Sequence, residues 1–355
     1  MLLKLLIRSL ILAIGLTLLP TVAQAGKNRI VELKGEAQIQ LAGTTKFQPA
    51  SIGMTMVLGD ILLPNEGTVA IVNCSDGKLG RAQAGVRSGL KAICPSAKST
   101  DPRAGDNIFL DLLRGEFTYQ TLLLSENPLL TWPSVSGVES YLVKVKAGEQ
   151  VIWEEIEEGT SVEYKGEPLV PKFFYDLVVE AVTEDEPAVY QIKMRLVHSV
   201  TAEFVQKQVA AIENESVSEE VRALMLVDLY LGEQESVTSG FLWAAARSLE
   251  NLVQAGNQTT VVHRLLGDIY LRLGWQQEAK KFYQRVILLA EAENNLSEIA
   301  AAQVGLAHLA VSEGNFSEAA GLLEKAQEVY ELMENSQQFD LIQGWLVELE
   351  KKSKK

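Results

Sequence analysis

A period of 40 residues in the second half of the chain constrains the fold more than any other sequence feature. The segment LVDLYL at 226–231 returns as LGDIYL at 266–271. A further step of 40 relates Gly274 to Gly314, and with them GWQQEA to GNFSEA. Around these positions apolar residues recur at the three- and four-residue spacing of amphipathic helices. The period therefore predicts helical hairpins that stack on one another, because each hairpin must bury an open apolar side.

The residues at fixed positions of this period resemble the tetratricopeptide repeat. In the middle copy they are Leu266, Gly267, Tyr270, Ala279 and Tyr283, and in the next copy Leu306, Ala307, Ala319, Leu323 and Ala326. His263 stands where that repeat usually has Trp, and the copy at 220–254 is degenerate. A period longer than the usual ~34 residues implies longer helices or a loop, for which AENNLSE supplies residues. The resemblance implies an all-α helical-repeat solenoid over residues 199–350 that binds a protein partner.

The same resemblance implies which residues meet the partner. The first helix of each pair lines a concave surface in that repeat, and its groove positions fall here on Arg264, Asp268, Arg272, Val304 and His308. Two alternatives remain open, because a spacing of four residues also suits an Arg-Asp-Arg ladder on one helical face, and His308 also suits a packing role. Such a ladder would contribute only about 0.2–0.5 kcal/mol per pair.

Residues 26–127 predict an all-β domain of short strands. IVELKGEAQIQLA alternates apolar and polar residues, and glycines separate it from TMVLGDILLP and GTVAIVNC. The Gly59-Asp60 pair before a short apolar strand, followed later by Asp76-Gly77 at a turn, resembles the FecR-like domain of bacterial envelope proteins. That resemblance implies a periplasmic signalling or envelope-associated module.

Residues 128–198 predict a second β segment. Tyr141, Val143 and Val145 alternate with polar residues, FYDLVVEA forms a similar strand, and Trp132 stands near the start. The segment is similar to a fibronectin type III module. The resemblance implies a β-sandwich in which Trp132 packs in the core instead of binding a sugar.

The first 25 residues predict a secretory signal peptide. Lys4 and Arg8 precede the uncharged stretch SLILAIGLTLL, and an Ala-Gln-Ala sequence predicts cleavage after Ala25. An uncleaved membrane anchor is the alternative, although the stretch is shorter than the ~20 residues of a spanning helix. In an oxidising compartment Cys74 and Cys94, which are the only cysteines, predict one disulfide.

The series of segments as a whole resembles exported cyanobacterial proteins, which implies the periplasm or the thylakoid lumen. A net charge of -14 argues against binding along a nucleic-acid backbone. The sequence contains no nucleophile elbow, phosphate-binding glycine loop or histidine metal pair, so we expect neither catalysis nor a cofactor or metal. We expect a multidomain, noncatalytic exported adaptor that binds a protein partner through its helical repeats and ends in a basic tail at 351–355.

A cell-envelope glycan-binding protein is the alternative function. Its first domain would hold an anionic polymer through basic residues that follow Cys74, namely Lys78, Arg81, Arg87, Lys91, Lys98 and Arg103. A solvated surface loop is the other interpretation of these charges, because charged side chains are usual in loops.

Overall fold

The computed structural model describes residues 28–354, except 43, 76, 96–107, 172, 183–188 and 232–239. The predicted signal peptide lies outside the described residues, and so do Asp76, Lys98 and Arg103. No helix in the described part of the chain is both long enough and apolar enough to cross a bilayer. Two β regions and a helical region follow one another along the chain.

In its described residues, the first β region has seven short strands in two antiparallel sheets. They are β1 (Arg29–Lys34), β2 (Ala37–Gln40), β3 (Gln48–Pro49), β4 (Ile61–Pro64), β5 (Val69–Asn73), β6 (Leu79–Ala82) and β7 (Ser88–Gly89). One sheet has the order β1-β5-β6 and the other β3-β2-β4-β7, and helix α1 (Leu90–Ile93) follows. A separate apolar core lies inside, and it includes the disulfide between Cys74 and Cys94, whose Cα atoms are 5.5 Å apart.

Asp60 orders the loop that precedes β4. Its buried carboxylate accepts hydrogen bonds from the backbone N–H groups of Ala42 (2.7 Å) and Val57 (2.8 Å). Gly59 has a φ of 102°, which a residue with a side chain rarely adopts. The Gly-Asp pair therefore ties two loop segments together at the point where the strand begins.

The second β region combines a five-stranded sheet with a two-stranded sheet. Helix α2 (Ile108–Arg114) leads into it, and its strands are β8 (Gln120–Leu123), β9 (Leu129–Thr131), β10 (Tyr141–Ala147), β11 (Gln150–Glu157), β12 (Ser161–Glu163), β13 (Tyr175–Ala181) and β14 (Val189–Leu196). The larger sheet has the order β11-β10-β13-β14-β8, and β9 pairs with β12. Trp132 is 2% exposed and packs edge-on against Tyr141, which confirms its predicted core position.

Strand β8 belongs to the larger sheet of the second β region. β8 pairs in parallel with β14, and Thr121 lies opposite Met194, whereas the predicted first domain extends to residue 127. Parallel strands are joined by long connections, so the local pattern around β8 carries no sign of its partner.

The C-terminal region consists of helices, as the period predicts. They are α3 (Ser199–Glu213), α4 (Glu219–Leu231), α5 (Leu242–Gln254), α6 (Thr260–Leu273), α7 (Gln276–Glu293), α8 (Leu296–Ser312), α9 (Phe316–Leu332) and α10 (Ser336–Ser353). Gly274 and Gly314 follow α6 and α8 with φ angles of 78° and 79°. This left-handed conformation ends a helix and lets the chain reverse.

Longer helices account for the length of the period. α7 continues to Glu293 and α8 begins at Leu296, so the AENNLSE segment belongs mostly to helices and not to an extra loop. The predicted basic tail is also helical over most of its length, because α10 continues to Ser353 and Lys354 is hydrogen-bonded to Glu350.

The second β region and the helices share one apolar core. Trp132 and Val143 from the β region belong to the same buried cluster as Leu266 and Tyr283 from the helices. A further cluster joins α2 to α8, α9 and α10. The first β region has its own core, but its Val31 also belongs to the cluster that contains the helices, and the polar contacts described below add to this apolar contact.

Candidate protein-binding cleft

A cleft of about 320 Å³ lies between the first helices of the repeats and the first β region. Residues of α6, α8 and α10 form one side, and Arg29, Met54 and Thr55 of the first β region lie on the other. The five residues that the tetratricopeptide resemblance implies all line this cleft, namely Arg264, Asp268, Arg272, Val304 and His308. They differ in burial, so only some of them can meet a partner.

Arg264 connects two neighbouring helices. Its Nε donates a hydrogen bond to Glu298 Oε2 (2.6 Å) and its Nη1 to Asp268 Oδ2 (2.8 Å), and its side chain is only 15% exposed. Burial alone would lower the pKa of Arg264, but the carboxylates of Glu298 and Asp268 outweigh burial and raise it, so the guanidinium stays charged. Arg264 therefore holds α6 to α8, which matches the ladder alternative better than a clamp for a ligand.

Tyr283 fixes the second oxygen of Asp268. The hydroxyl of this fully buried tyrosine donates a hydrogen bond to Asp268 Oδ1 (2.9 Å). Its ring reaches that position because Gly267 and Gly305 leave space, since a Cβ on either would lie within 2.8 Å or 2.3 Å of the ring. Asp268 is therefore held from both sides, while its side chain remains 35% exposed to the cleft.

Arg272 and Val304 complete the accessible part of the predicted site. Both are half-buried and line the cleft, Arg272 one helical turn beyond Asp268 on α6 and Val304 on α8. The row of Asp268, Arg272 and Val304 thus adds an anion, a cation and an apolar side chain to the lining of the cleft.

His308 is covered by the chain itself, which fits the packing alternative better than direct contact with a partner in the open cleft. It is 7% exposed, and its ring lies 5.5 Å from the ring of Phe109 in α2 and 5.5 Å from that of Trp345 in α10. The concave surface at the last repeat is therefore filled by α2, a helix that the sequence pattern assigns to no groove.

The first β region is fastened across the same concave face. Arg29 Nε donates to Asp228 Oδ1 of α4 at 2.7 Å, and Asn73 Nδ2 donates to Asp228 Oδ2 at 3.0 Å. At the other end, Lys46 forms an ion pair with Glu334 in the connection between α9 and α10. The cleft lies between these two contacts and is the part of the concave face that remains accessible.

Glu298 is a charged residue of the site to which the sequence did not point. It stands in the first turn of α8, where Asn295 accepts a hydrogen bond from its backbone N–H (3.3 Å), so the local pattern indicates only helix capping. Its carboxylate meets Arg264 because α8 stacks beside α6, which is a tertiary relationship. Among the residues that the structure describes, no group of three or more His, Cys, Asp and Glu side chains is arranged to hold a metal ion.

These features define a helical-repeat protein whose concave face is partly covered by its own N-terminal region. The family model of the tetratricopeptide repeat matches residues 265–293, which cover most of α6 and all of α7. The chain therefore contains a tetratricopeptide repeat, as its period predicts. The crystal structure of MamA aligns with 44% of this chain and 92% of its own, with 19% identity and a TM-score of 0.28, which is too low to establish a common fold. No curated protein matches the chain.

Proposed function

We propose that this protein is a noncatalytic adaptor that binds a segment of a protein partner in the cleft between its helical repeats and its first β region. The observation that carries the proposal is the partly exposed row of Asp268, Arg272 and Val304 along the cleft. The tetratricopeptide match supports it, because helical-repeat solenoids use their concave surfaces for binding.

The cleft has the groups that recognise a polypeptide segment. Arg264 and Tyr283 already hold the Asp268 side chain in one conformation. A hydrogen bond from a partner to Asp268 therefore costs little additional side-chain entropy. Arg272 offers a planar set of donors that suits a partner carboxylate. Each charge-assisted hydrogen bond of this kind contributes roughly 1.5–3 kcal/mol.

The proposed place of action is outside the cytoplasm, in the periplasm or, in a cyanobacterium, in the thylakoid lumen. The signal-like first 25 residues, the FecR-like pattern and the fibronectin-like pattern support this part of the proposal. Intact-mass analysis of the protein from the cell that makes it should find Gly26 as the N-terminal residue. Retention of the first 25 residues would contradict export with cleavage.

The test of the binding site is a capture experiment with the full chain. We expect the Arg272→Glu variant to lose at least tenfold in affinity for the captured partner, for which a change of ~1.4 kcal/mol suffices. Lys281→Glu is the matched control, because it makes the same charge change at an exposed position of α7 away from the cleft lining. If both variants change the affinity for the partner equally, or if neither changes it, the proposal that the partner binds in the cleft is contradicted.

Binding of an anionic envelope glycan by the first β region is the second candidate. The described basic residues Lys78, Arg81, Arg87 and Lys91 are all exposed, which favours a contact with a large anion. In the same experiment, a retained polysaccharide whose binding is lost in Arg81→Glu but not in Arg272→Glu would support the glycan function over the adaptor function.

A further inference from the structure

Helix α2 occupies a groove between α8 and α10. It is short and amphipathic, and Ile108, Phe109 and Leu113 are each less than 7% exposed. Phe109 and Leu113 are four residues apart, which places them on the same face of the helix. The groove therefore receives one aromatic and one aliphatic side chain from a single helical face.

Aromatic packing is the centre of this contact. The ring of Phe109 stacks on the indole of Trp345 with a centroid distance of 4.9 Å and an interplanar angle of 20°. The imidazole of His308 lies 5.5 Å from both rings and makes the second side of the slot. Phe109 is fully buried as a result, in the same cluster as Leu113 and Leu349.

Side-chain packing, and not backbone pairing, joins α2 to the groove. In the described part of the chain, the backbone hydrogen bonds at its C-terminal end stay within its own turn, where Gly115 N–H donates to Leu112 and the N–H groups of Glu116 and Phe117 donate to Asp111. A helix of this length is not stable alone in water, so its helical form depends on the groove. Another helix with the same two side chains can make the same contacts.

We infer that the groove between α8 and α10 is a docking site for a short amphipathic helix of a partner protein that carries Phe and, one turn later, Leu, and that α2 occupies this site in competition with the partner. The inference rests on the proposed function and names the partner's chemistry, because the groove adjoins the cleft: Ile108 of α2 and His308 of the groove both line the cleft. Binding at the cleft alone would leave α2 in place, whereas binding of such a helix displaces it.

A peptide with the α2 sequence tests the groove directly. The probe is a fluorescently labelled DNIFLDLLRGEF peptide, residues 106–117, titrated onto the full chain while anisotropy is measured. We expect the Phe109→Ala chain to bind it at least tenfold more tightly than the unmodified chain, because its own helix competes less. Adding Trp345→Ala should abolish the binding, and a probe with Ala in place of its Phe should not bind.

Phe117→Ala is the matched control, because Phe117 follows α2 and packs against Tyr119 outside the groove. It should leave probe binding at the level of the unmodified chain. Equal affinity of the unmodified and Phe109→Ala chains, or no binding to either, would overturn the inference.

If Phe109→Ala fails to fold, hydrogen exchange of the unmodified chain tests whether α2 leaves the groove. In the unmodified chain, the amides of α2 should exchange at least tenfold faster than those of α8, because α2 leaves the groove while the repeats stay folded. Exchange of both helices in one step would overturn the inference. The two proposals can fail separately. If the probe does not bind, but a captured partner loses affinity for Arg272→Glu and not for Lys281→Glu, the docking groove is rejected and the adaptor function is supported.

Discussion

Asp228 is the residue at which the first β region is attached to the helices through buried charge. Its two oxygens accept hydrogen bonds from Arg29 and Asn73, and the Arg29 and Asp228 side chains are 5% and 3% exposed. Both side chains are therefore almost completely removed from bulk water. The intact ion pair therefore adds little net stability, whereas removing one of its partners strongly destabilises the folded protein.

We predict that Asp228→Ala lowers the free energy of unfolding by about 3–5 kcal/mol, because it leaves the Arg29 guanidinium buried without a counter-charge. Chemical denaturation measures the change. Glu219→Ala is the control, since Glu219 is 80% exposed in its ion pair with Arg222, and it should cost less than about 1 kcal/mol. A similar effect of both substitutions would contradict the role of the buried pair.

His263 makes stability depend on pH. It is 4% exposed, and its Nδ1 lies 3.1 Å from the carbonyl oxygen of Thr259, to which the neutral ring can donate. Burial is the main reason that its pKa lies below the usual 6.5, with Arg285 adding to the shift and the bond to Thr259 opposing it. As the pH falls below about 6.5, the unfolded chain therefore binds more protons at this residue than the folded protein.

We predict that the free energy of unfolding falls as the pH is lowered from neutrality to below about 6.5. The fall should be less steep in His263→Gln. Denaturation curves at several pH values measure the slope. His198→Gln replaces an exposed histidine and should leave the slope unchanged. An unchanged slope in His263→Gln would show that other groups cause the pH dependence.

At the scale of the helices, small residues decide how closely the repeats stack. The ring of Tyr283 from α7 lies against Gly305 of α8 and Gly267 of α6. Its hydroxyl then reaches Asp268. Close approach of three helices thus both buries the tyrosine and positions a charged residue of the cleft.

We predict that Gly305→Ala destabilises the protein by about 1–3 kcal/mol, because the new Cβ would lie 2.3 Å from the Tyr283 ring. Gly321→Ala in α9 should have the opposite sign and stabilise by about 0.5–1 kcal/mol, since nothing lies within 4 Å of its Cβ and Ala favours a helix. Thermal or chemical denaturation of the two variants measures both effects. Two changes of the same sign would contradict this account of the stacking.

At the scale of the whole molecule, the second β region and the helices behave as one body because their buried side chains form one cluster. Val143 lies fully buried in β10 within that cluster. The stability of the helices must therefore depend on residues that lie in strands.

We predict that Val143→Ala lowers the stability measured by helical circular dichroism by about 2 kcal/mol, although no helix is altered. Val182→Ala makes the same change at a position that is 54% exposed, and it should have an effect below about 0.5 kcal/mol. If Val143→Ala leaves the helical transition unchanged and shifts only the tryptophan fluorescence of the β region, the two regions unfold separately.

The sequence by itself determined that the second half of the chain is helical and that turns follow α6 and α8, because the 40-residue period places landmarks on fixed helical faces. The tetratricopeptide resemblance added the positions of Asp268, Arg272 and Val304 along the cleft. It also placed Trp132 in a core, because aromatic side chains contribute much of the buried area of cores. The tertiary structure alone decided that β8 joins β14, that Glu298 meets Arg264, and that α2 covers His308. These contacts join residues far apart in the chain, and no local pattern encodes them, because a helix or strand is compatible with many partners until the whole apolar surface is buried.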